Sequence, residues 1–332
     1  MRARHDSFRY GPLVDSGVGS DVIVVGGGVI GLTTALELVG MGRRVRLWTR
    51  DPTAATTSAV AGALWWPYRI DPVARVTGWS LRSLRVYEEL AARPGPAGVR
   101  MAEGVHADTV LDGLGPWAGE VAGLRPATAA EYGGGAGLWA RLPLVDMPVH
   151  LEWLKERFLA AGGRVETREI MDLAEAGAAA PVVVNCSGIG ARTLVPDDSV
   201  RPLRGQLVLV ENPGVDTWFT GGGDSPDTST YFFPQPGRLI LGGTTQEDDW
   251  SLEPDPAAAE AIVARCAGVR PEIARARVIG HRVGLRPTRP EVRLERERAP
   301  WGGVLVHNYG HGGAGVTVAW GCAQEAAGLA VS

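Results

Sequence analysis

Three cysteines in 332 residues, Cys186, Cys266 and Cys322, are too few and too scattered for a disulfide framework or a cysteine-built metal centre. That scarcity suits a reducing, cytoplasmic setting. No stretch of about 18 uninterrupted apolar residues occurs, so no helical membrane span is expected. No long basic run occurs either. With 33 basic and 37 acidic residues the net charge is −4, and nucleic acid is not an expected partner. Residues 1–20 are polar and lack the apolar core of a secretory signal, which predicts a loose extension before the first strand. The final Gly328-Leu-Ala-Val-Ser332 is not a Ser-Lys-Leu peroxisomal address. No internal repeat or low-complexity tract is evident. What remains is a globular composition, 45% hydrophobic and 21% charged, with core material for two domains or one large one.

The abundant residue is glycine, at 46 positions, and its placement is informative. In Asp21-Val-Ile-Val-Val-Gly26-Gly-Gly28-Val29-Ile30-Gly31-Leu32 a β-branched run leads into three spaced glycines, and an apolar helical pattern follows. This is the strand–turn–helix opening of a dinucleotide-binding fold. The first glycine permits the tight turn, the second lets backbone approach a pyrophosphate, and the third lets helix pack on strand. The unpaired N–H groups at the helix start then face phosphate charge. The helix is predicted over Val29–Met41 and a second strand over Arg44–Trp48. After that strand Asp51 is a candidate acceptor from a ribose hydroxyl, though placed a little late, and Arg50 is a candidate for a phosphate.

Residues 80–92 read as helix, residues 93–140 as irregular with short strand-like pieces, and Val149–Ala161 as an amphipathic helix stopped by Gly162-Gly163. Arg164–Ile170 reads as a strand. Pro181–Gly188 is a buried-strand run that returns the chain to the parallel sheet. From Arg204 the pattern changes. Strand-like pieces at Gln206–Glu211, Tyr231–Pro234, Arg238–Leu241 and Arg293–Glu297, with a turn at Gln235-Pro236-Gly237, predict an antiparallel sheet, interrupted by a helix over Pro256–Ala267. Near the end comes Val304-Leu-Val-His307-Asn308-Tyr309-Gly310-His311-Gly312-Gly313-Ala314-Gly315-Val316-Thr317, again strand, glycine turn and helix. Two such openings suit a long, bent cofactor such as FAD better than NAD. His307 and His311 read as turn and hydrogen-bonding residues, and no metal-ligand spacing surrounds them. The hydroxyl-rich Ala55–Tyr68 stretch is either a polar loop feeding a core strand or a second phosphate clamp backed by a pocket wall.

Together these pieces resemble the D-amino-acid oxidase family of flavoproteins over nearly the whole chain after residue 20. The carrying motifs are Gly26-Gly-Gly28-Val-Ile-Gly31, Thr56-Thr57-Ser58-Ala-Val-Ala-Gly62-Ala63-Leu-Trp-Trp66-Pro-Tyr68, Val184-Asn-Cys-Ser187-Gly188, Gly284-Leu-Arg286-Pro287 and the closing His307–Gly315 run, which is the most specific. The resemblance implies an α/β fold: a Rossmann-like FAD-binding domain (residues 21–80, 142–202 and 298–332) interleaved with an antiparallel-sheet substrate domain (81–141 and 203–297). It makes the Thr56–Ala63 loop a cofactor clamp. It implies that Gly26, Gly28, Val29, Ile30, Gly31, Arg50, Asp51, Thr57, Ser58, Gly62, Ala63, Ile170 and Ser187 serve the cofactor. Gly312, Gly313, Ala314, Gly315, Val316 and Thr317 would lie at the flavin's pyrimidine end. Arg286 would pair with the substrate carboxylate, Tyr231 would donate to it, the Gly313 carbonyl would accept from the amine, and Trp66 would line the pocket.

The implied activity is oxidation of a neutral D-amino acid by hydride transfer to flavin N5, with O2 as acceptor and hydrogen peroxide as product. No side-chain acid or base is demanded, because the cofactor carries the chemistry. The expected partners are small molecules, with a homodimer the one macromolecular assembly left open. Two departures from the family pattern bear on the pocket. Asp227 stands where a lid tyrosine is common, and Trp66 replaces a common glutamine. The rivals are a D-aspartate oxidase, which Arg69 keeps open although Thr245 stands where that branch carries an arginine, and a glycine- or sarcosine-type oxidase. A non-catalytic flavin-binding protein and a NAD-dependent dehydrogenase are further from the pattern.

Overall fold

The computed structural model describes residues 21–93, 95–133, 135–222 and 229–332. The expected extension over residues 1–20 and the lid position Asp227 lie outside the described residues. The chain opens with β1 (Asp21–Val25), α1 (Val29–Gly40), β2 (Arg44–Thr49), α2 (Thr57–Val60) and α3 (Val73–Ala91). There follow β3 (Val99–Ala107), β4 (Arg125–Pro126), β5 (Gly137–Val145), α4 (Met147–Ala160), β6 (Arg164–Thr167), α5 (Leu173–Gly177), β7 (Val182–Asn185) and α6 (Ala191–Leu194). The second half holds β8 (Arg201–Val210), β9 (Trp218–Gly221), β10 (Thr230–Gln235), β11 (Arg238–Gly242), β12 (Gln246–Glu247), α7 (Pro256–Val269), β13 (Val278–Arg298), β14 (Val304–His311) and α8 (Gly315–Val331).

The described strands form one 14-stranded sheet in the order β4-β5-β3-β9-β10-β11-β8-β13-β14-β7-β1-β2-β6, with β12 paired to β8 beside that path. The strands β6, β2, β1, β7 and β14 are mutually parallel. They are apolar on both faces, as a parallel sheet covered on two sides requires. Val22, Val24, Val45 and Val184 face α1, α4 and α8. Ile23, Val25 and Val183 face the opposite layer with Trp48, Leu173 and Ala176. The other half is antiparallel apart from the β3–β9 pair. One of its faces packs Val105, Phe219, Phe232 and Leu241 under α7 through Ile262 and Cys266. Its opposite face carries the alternate residues, among them His106, Thr220 and Tyr231.

The expected parallel and antiparallel sheets are both present, and β13 fuses them. This strand runs 21 residues. It pairs with β8 from Val278 to Thr288 and with β14 at Thr288 and again from Arg293 to Arg298, with an irregularity between. Pro290 lies in that irregularity, where a missing N–H breaks no ladder bond. From the sequence Arg293–Glu297 reads as one strand and Val283–Arg286 as the end of another, stopped by Pro287, so the two look separate although they are one strand. The stretch 93–140 is likewise more regular than its composition suggests. β3 and β5 pair along their full length, Val99↔Val145 to Ala107↔Gly137. Gly104, inside β3, sits where a Cβ would collide with Trp218 of β9. α3 begins seven residues earlier than the apolar pattern suggests, directly after Pro72.

α8 matters most for the site, since its N-terminus carries the second glycine turn. It is held against α3 at close range. Ser83 Oγ of α3 accepts from the Trp320 and Gly321 N–H groups, each at 3.1 Å. A Cβ on Gly321 would collide with the Trp79 backbone. Gly321→Val should therefore force the helices apart and lower stability by about 3 kcal/mol or more, an overpacking cost at the upper end of the usual scale. Urea denaturation midpoints would measure it. An unchanged midpoint would mean that α8 is not seated on α3 at this distance.

Candidate active site

The carboxyl ends of β1, β7 and β14 stand side by side. In open α/β sheets a ligand crevice forms at such ends. Here a cavity of about 730 Å³ begins at Gly26–Ile30, passes Ser187 and ends among Arg286, Tyr231, Trp66 and Gly313. That size lies in the roughly 300–1,000 Å³ range of small-molecule sites. All of the sequence-predicted substrate and cofactor residues line it except two, Gly31 and Ala314. Gly31 turns away from the cavity, and a Cβ there would collide with the Gly26 carbonyl. Its part is the close packing of α1 on β1. Ala314 is 1% exposed and packed inside the turn before α8.

At the first opening Gly26 adopts φ 116°, a conformation that L side chains rarely take, and a Cβ there would collide with the Cys186 carbonyl. The absence of a side chain lets the β1 and β7 ends come this close, where the Cys186 N–H donates to the Val25 carbonyl at 2.8 Å. Neither α1 nor α8 has a side-chain cap from its N-cap residue, and neither carries an acidic residue in its first turn. Both N-termini face the cavity with their partial positive charge. One expectation needs correction. The Val29 N–H does not face open space, because it donates to Ser58 Oγ at 3.0 Å. Ser58 therefore ties α2 onto the α1 N-terminus while lining the cavity. Thr57 Oγ1 donates to the Leu285 carbonyl at 3.3 Å and ties α2 to β13 as well. Arg50 and Asp51 pair with each other at 2.8 Å at the cavity's outer end, Arg50 exposed and Asp51 partly so.

Two buried polar atoms beside the second opening, Asn308 Oδ1 and His311 Nε2, have no hydrogen-bond partner within the protein. Both residues line the cavity. Burial pushes the His311 imidazole down to about 3, so it is neutral at pH 7 and able to donate or accept. Unpaired buried groups of this kind are costly without a partner, and a polar ligand supplies one. Two helix starts without a cap from their own N-cap residues, a glycine cradle and orphaned polar atoms along a long cavity fit a dinucleotide such as FAD.

At the inner end the side chains converge on glycines. The Arg286 guanidinium lies over Gly205, and a Cβ there would collide with it. Arg286 Nη1 donates to the Thr244 carbonyl at 3.2 Å. The Tyr231 ring lies over Gly242 and Gly243, stacked on Phe233 at 5.0 Å. Burial pushes the Tyr231 phenol up, and the adjacent Arg286, which also hydrogen-bonds it, pulls it partway back. The hydroxyl is therefore protonated at neutral pH. A Cβ on Gly313 would come 3.5 Å from Arg286 Cδ and 3.8 Å from Tyr68 Cδ1. Trp66 is pinned to α8 by Thr317, whose hydroxyl donates to the Trp66 carbonyl at 2.9 Å. Sequence reasoning missed Gly205, Gly242, His106 and Thr220. The glycines carry a signal, since glycine inside a strand often marks a close approach. His106 and Thr220 carry none, because only strand pairing brings them to the cavity.

Beneath the second opening lies a charged support. Asp197 accepts from the Tyr309 hydroxyl at 2.7 Å, from Arg289 Nε at 3.0 Å and from the Ser199 hydroxyl. Arg293 Nη1 donates to the Tyr309 hydroxyl at 2.9 Å. Burial alone would raise the Asp197 carboxyl, but these donors and the Arg289 charge outweigh it and hold it down to about 2. Among the described residues no helix is long and apolar enough to cross a membrane, and no cluster of His, Cys, Asp or Glu could hold a metal ion.

Comparison with known proteins agrees with this geometry. The profile of a family described as FAD dependent oxidoreductase, DAO, matches residues 21–329. A D-amino-acid oxidase from Streptomyces coelicolor is 67% identical over 311 residues, covering 93% of this chain and 96% of that protein. A human D-aspartate oxidase is 36% identical over 325 residues, covering 93% and 94%. Among solved structures, glycine oxidase from Geobacillus kaustophilus superposes with a TM-score of 0.78 at 20% identity, covering 94% of this chain and 95% of that one. At that identity the likeness shows a shared fold.

The Asp197 support yields a pH-dependent expectation. A carboxyl held below its unfolded value of about 3.9 contributes stability that is present above that value and lost as pH falls toward the folded value. Asp197→Asn should cost about 1–3 kcal/mol at pH 7 by leaving buried donors poorly paired. The gap between wild type and variant should narrow from pH 5 toward pH 2. Urea midpoints across that range measure it, and a gap independent of pH would mean the carboxylate charge contributes nothing.

Proposed function

The chain belongs to the family of FAD dependent oxidoreductases, and from that premise we propose that it oxidises neutral D-amino acids to 2-oxo acids and ammonia, with O2 reduced to hydrogen peroxide. FAD is the cofactor, and when bound it accepts the hydride from the substrate Cα and passes the electrons to O2. We assign the glycine turn at Gly26–Val29 and the α2 clamp to the pyrophosphate. Ile170 and Ser187 would line the flavin, and the α8 start at Gly313–Thr317 would meet its pyrimidine end, where N–H groups would favour developing negative charge.

The observation that carries the substrate reading is the pairing of Arg286 with Tyr231 beside Gly313 at the cavity's inner end. The guanidinium is a planar fork that holds a carboxylate at two points. The protonated Tyr231 hydroxyl donates to the same carboxylate. The Gly313 carbonyl accepts from the amine. With two of the three functional directions fixed, the third is fixed too, and one enantiomer points its Cα–H at the cofactor. Positioning of this kind lowers the barrier by several kcal/mol. Trp66, Phe233 and the packed strands keep bulk water from this end.

The D-amino-acid oxidase of Streptomyces coelicolor, at 67% identity, supports the D-amino-acid class. The arginines lining the described cavity support a neutral side chain. Arg50 and Arg168 stand at its outer end, and Arg69 is exposed with its guanidinium 5.3 Å over the Tyr68 ring. That leaves Arg286 for one carboxylate. The D-aspartate reading has the 36% identical human protein and Arg69 in its favour.

Arg286→Leu tests the assignment. Losing a charge-assisted contact at a buried site costs about 2–5 kcal/mol, which is roughly 30- to 4000-fold in kcat/KM for a D-amino acid. Flavin content should be retained. A variant with near-normal kcat/KM would make Arg286 structural.

A further inference from the structure

Three neighbouring strands place one row of side chains on the cavity face of the antiparallel half. His106 of β3 pairs in register with Thr220 of β9, and Thr220 pairs with Tyr231 of β10. Residues in register share a face, and here a hydrogen bond between His106 Nδ1 and the Thr220 hydroxyl joins the first two. All three line the same cavity as Arg286. The opposite face of these strands takes Val105, Phe219 and Phe232 into the core under α7, so the alternation is unambiguous. Two strand spacings separate His106 from Tyr231, about 10 Å between backbones. The imidazole also lies against Trp66, with ring centroids 4.6 Å apart and planes tilted by 30°. Trp66 in turn meets Trp117 edge-on at 4.9 Å.

We propose that His106, fixed by Thr220 and backed by Trp66, is a specificity-determining residue that forms the far wall of the pocket for the substrate's side chain. This rests on the assignment of Arg286 and Tyr231 to the α-carboxylate. A substrate anchored there extends its side chain along the row toward His106. A methyl group would stop short of it, and a longer side chain would approach it. The wall is uncharged at working pH. Burial pushes His106 down to about 4, against the pull of Asp108. A neutral imidazole and a hydroxyl on an indole face accept an uncharged side chain and give an acidic one no counter-charge. Discrimination among side chains thus sits on β3 and β9, elements apart from both glycine openings.

The test is kcat/KM for D-alanine, D-methionine and D-glutamate with wild type, His106→Ala and His106→Arg, each checked for wild-type flavin content and thermal midpoint. In His106→Ala, D-methionine should fall about tenfold, the scale of one pocket contact, while D-alanine stays within about twofold. In His106→Arg, the D-glutamate to D-methionine ratio should rise about tenfold or more, again with D-alanine little changed. If all three substrates change alike, His106 is a packing residue. If none changes, the side chain points elsewhere. Either result overturns the proposal while leaving the Arg286 assignment standing. Should His106→Arg lose flavin or stability, His106→Gln, neutral and smaller, carries the same comparison of long against short substrates. A wild type inactive on every D-amino acid would instead remove the functional reading beneath it.

Discussion

A single strand, β13, couples the two halves of this molecule. Its first part pairs with β8 in the antiparallel half and its last part with β14 in the parallel half. Thr288 is the point of transfer, in register with Arg201 on one side and His311 on the other. Arg286 stands two residues before that point. The group assigned to the substrate carboxylate and the turn assigned to the flavin are therefore parts of one hydrogen-bonded ladder, and their separation is set by backbone geometry. Hydride transfer needs that rigidity, since misplacement by about 1 Å costs roughly a hundredfold in rate.

The rest of the site follows from keeping this junction open enough for a ligand and tight enough to orient it. Gly26 and Gly31 let β1, β7 and α1 approach until no Cβ would fit. Gly205 and Gly242 do the same beneath Arg286 and Tyr231. The space freed by absent side chains is taken by long polar ones laid flat on the sheet, so their charged and hydroxyl ends emerge in fixed places. The α1 and α8 helix starts present partial positive charge to the cavity, at the two regions assigned above to the pyrophosphate and the pyrimidine end. Asp197 and Tyr309 hold the strand that delivers α8.

Much of this was legible in the sequence because it rests on local patterns. The turn at Gly26–Gly31 and the run from His307 to Thr317 announce strand, turn and helix within a dozen residues each. Arg286 and Tyr231 emerged from motif resemblance, and the fold places both at the cavity. What stayed hidden depends on long-range partners. The continuity of β13 is masked by Pro287 and Pro290, which are tolerated only because the ladder changes partner there. β3 and β5 are masked by Gly104 and by intervening glycines and prolines. Ser58 was legible as a clamp residue, but its bond to the Val29 N–H needs the folded approach of α2 to α1. His106 and Thr220 meet across a parallel pair more than a hundred residues apart in sequence, and no local signal marks such a pair.

The most direct test is an anaerobic titration of the purified, yellow protein with the two enantiomers of alanine, followed by flavin absorbance. Stoichiometric bleaching by D-alanine, no bleaching by L-alanine, and recovery of colour with peroxide release on admitting air are expected. Bleaching by both enantiomers, or by neither, would contradict the assignment of Arg286, Tyr231 and Gly313 as the groups that fix the substrate's handedness.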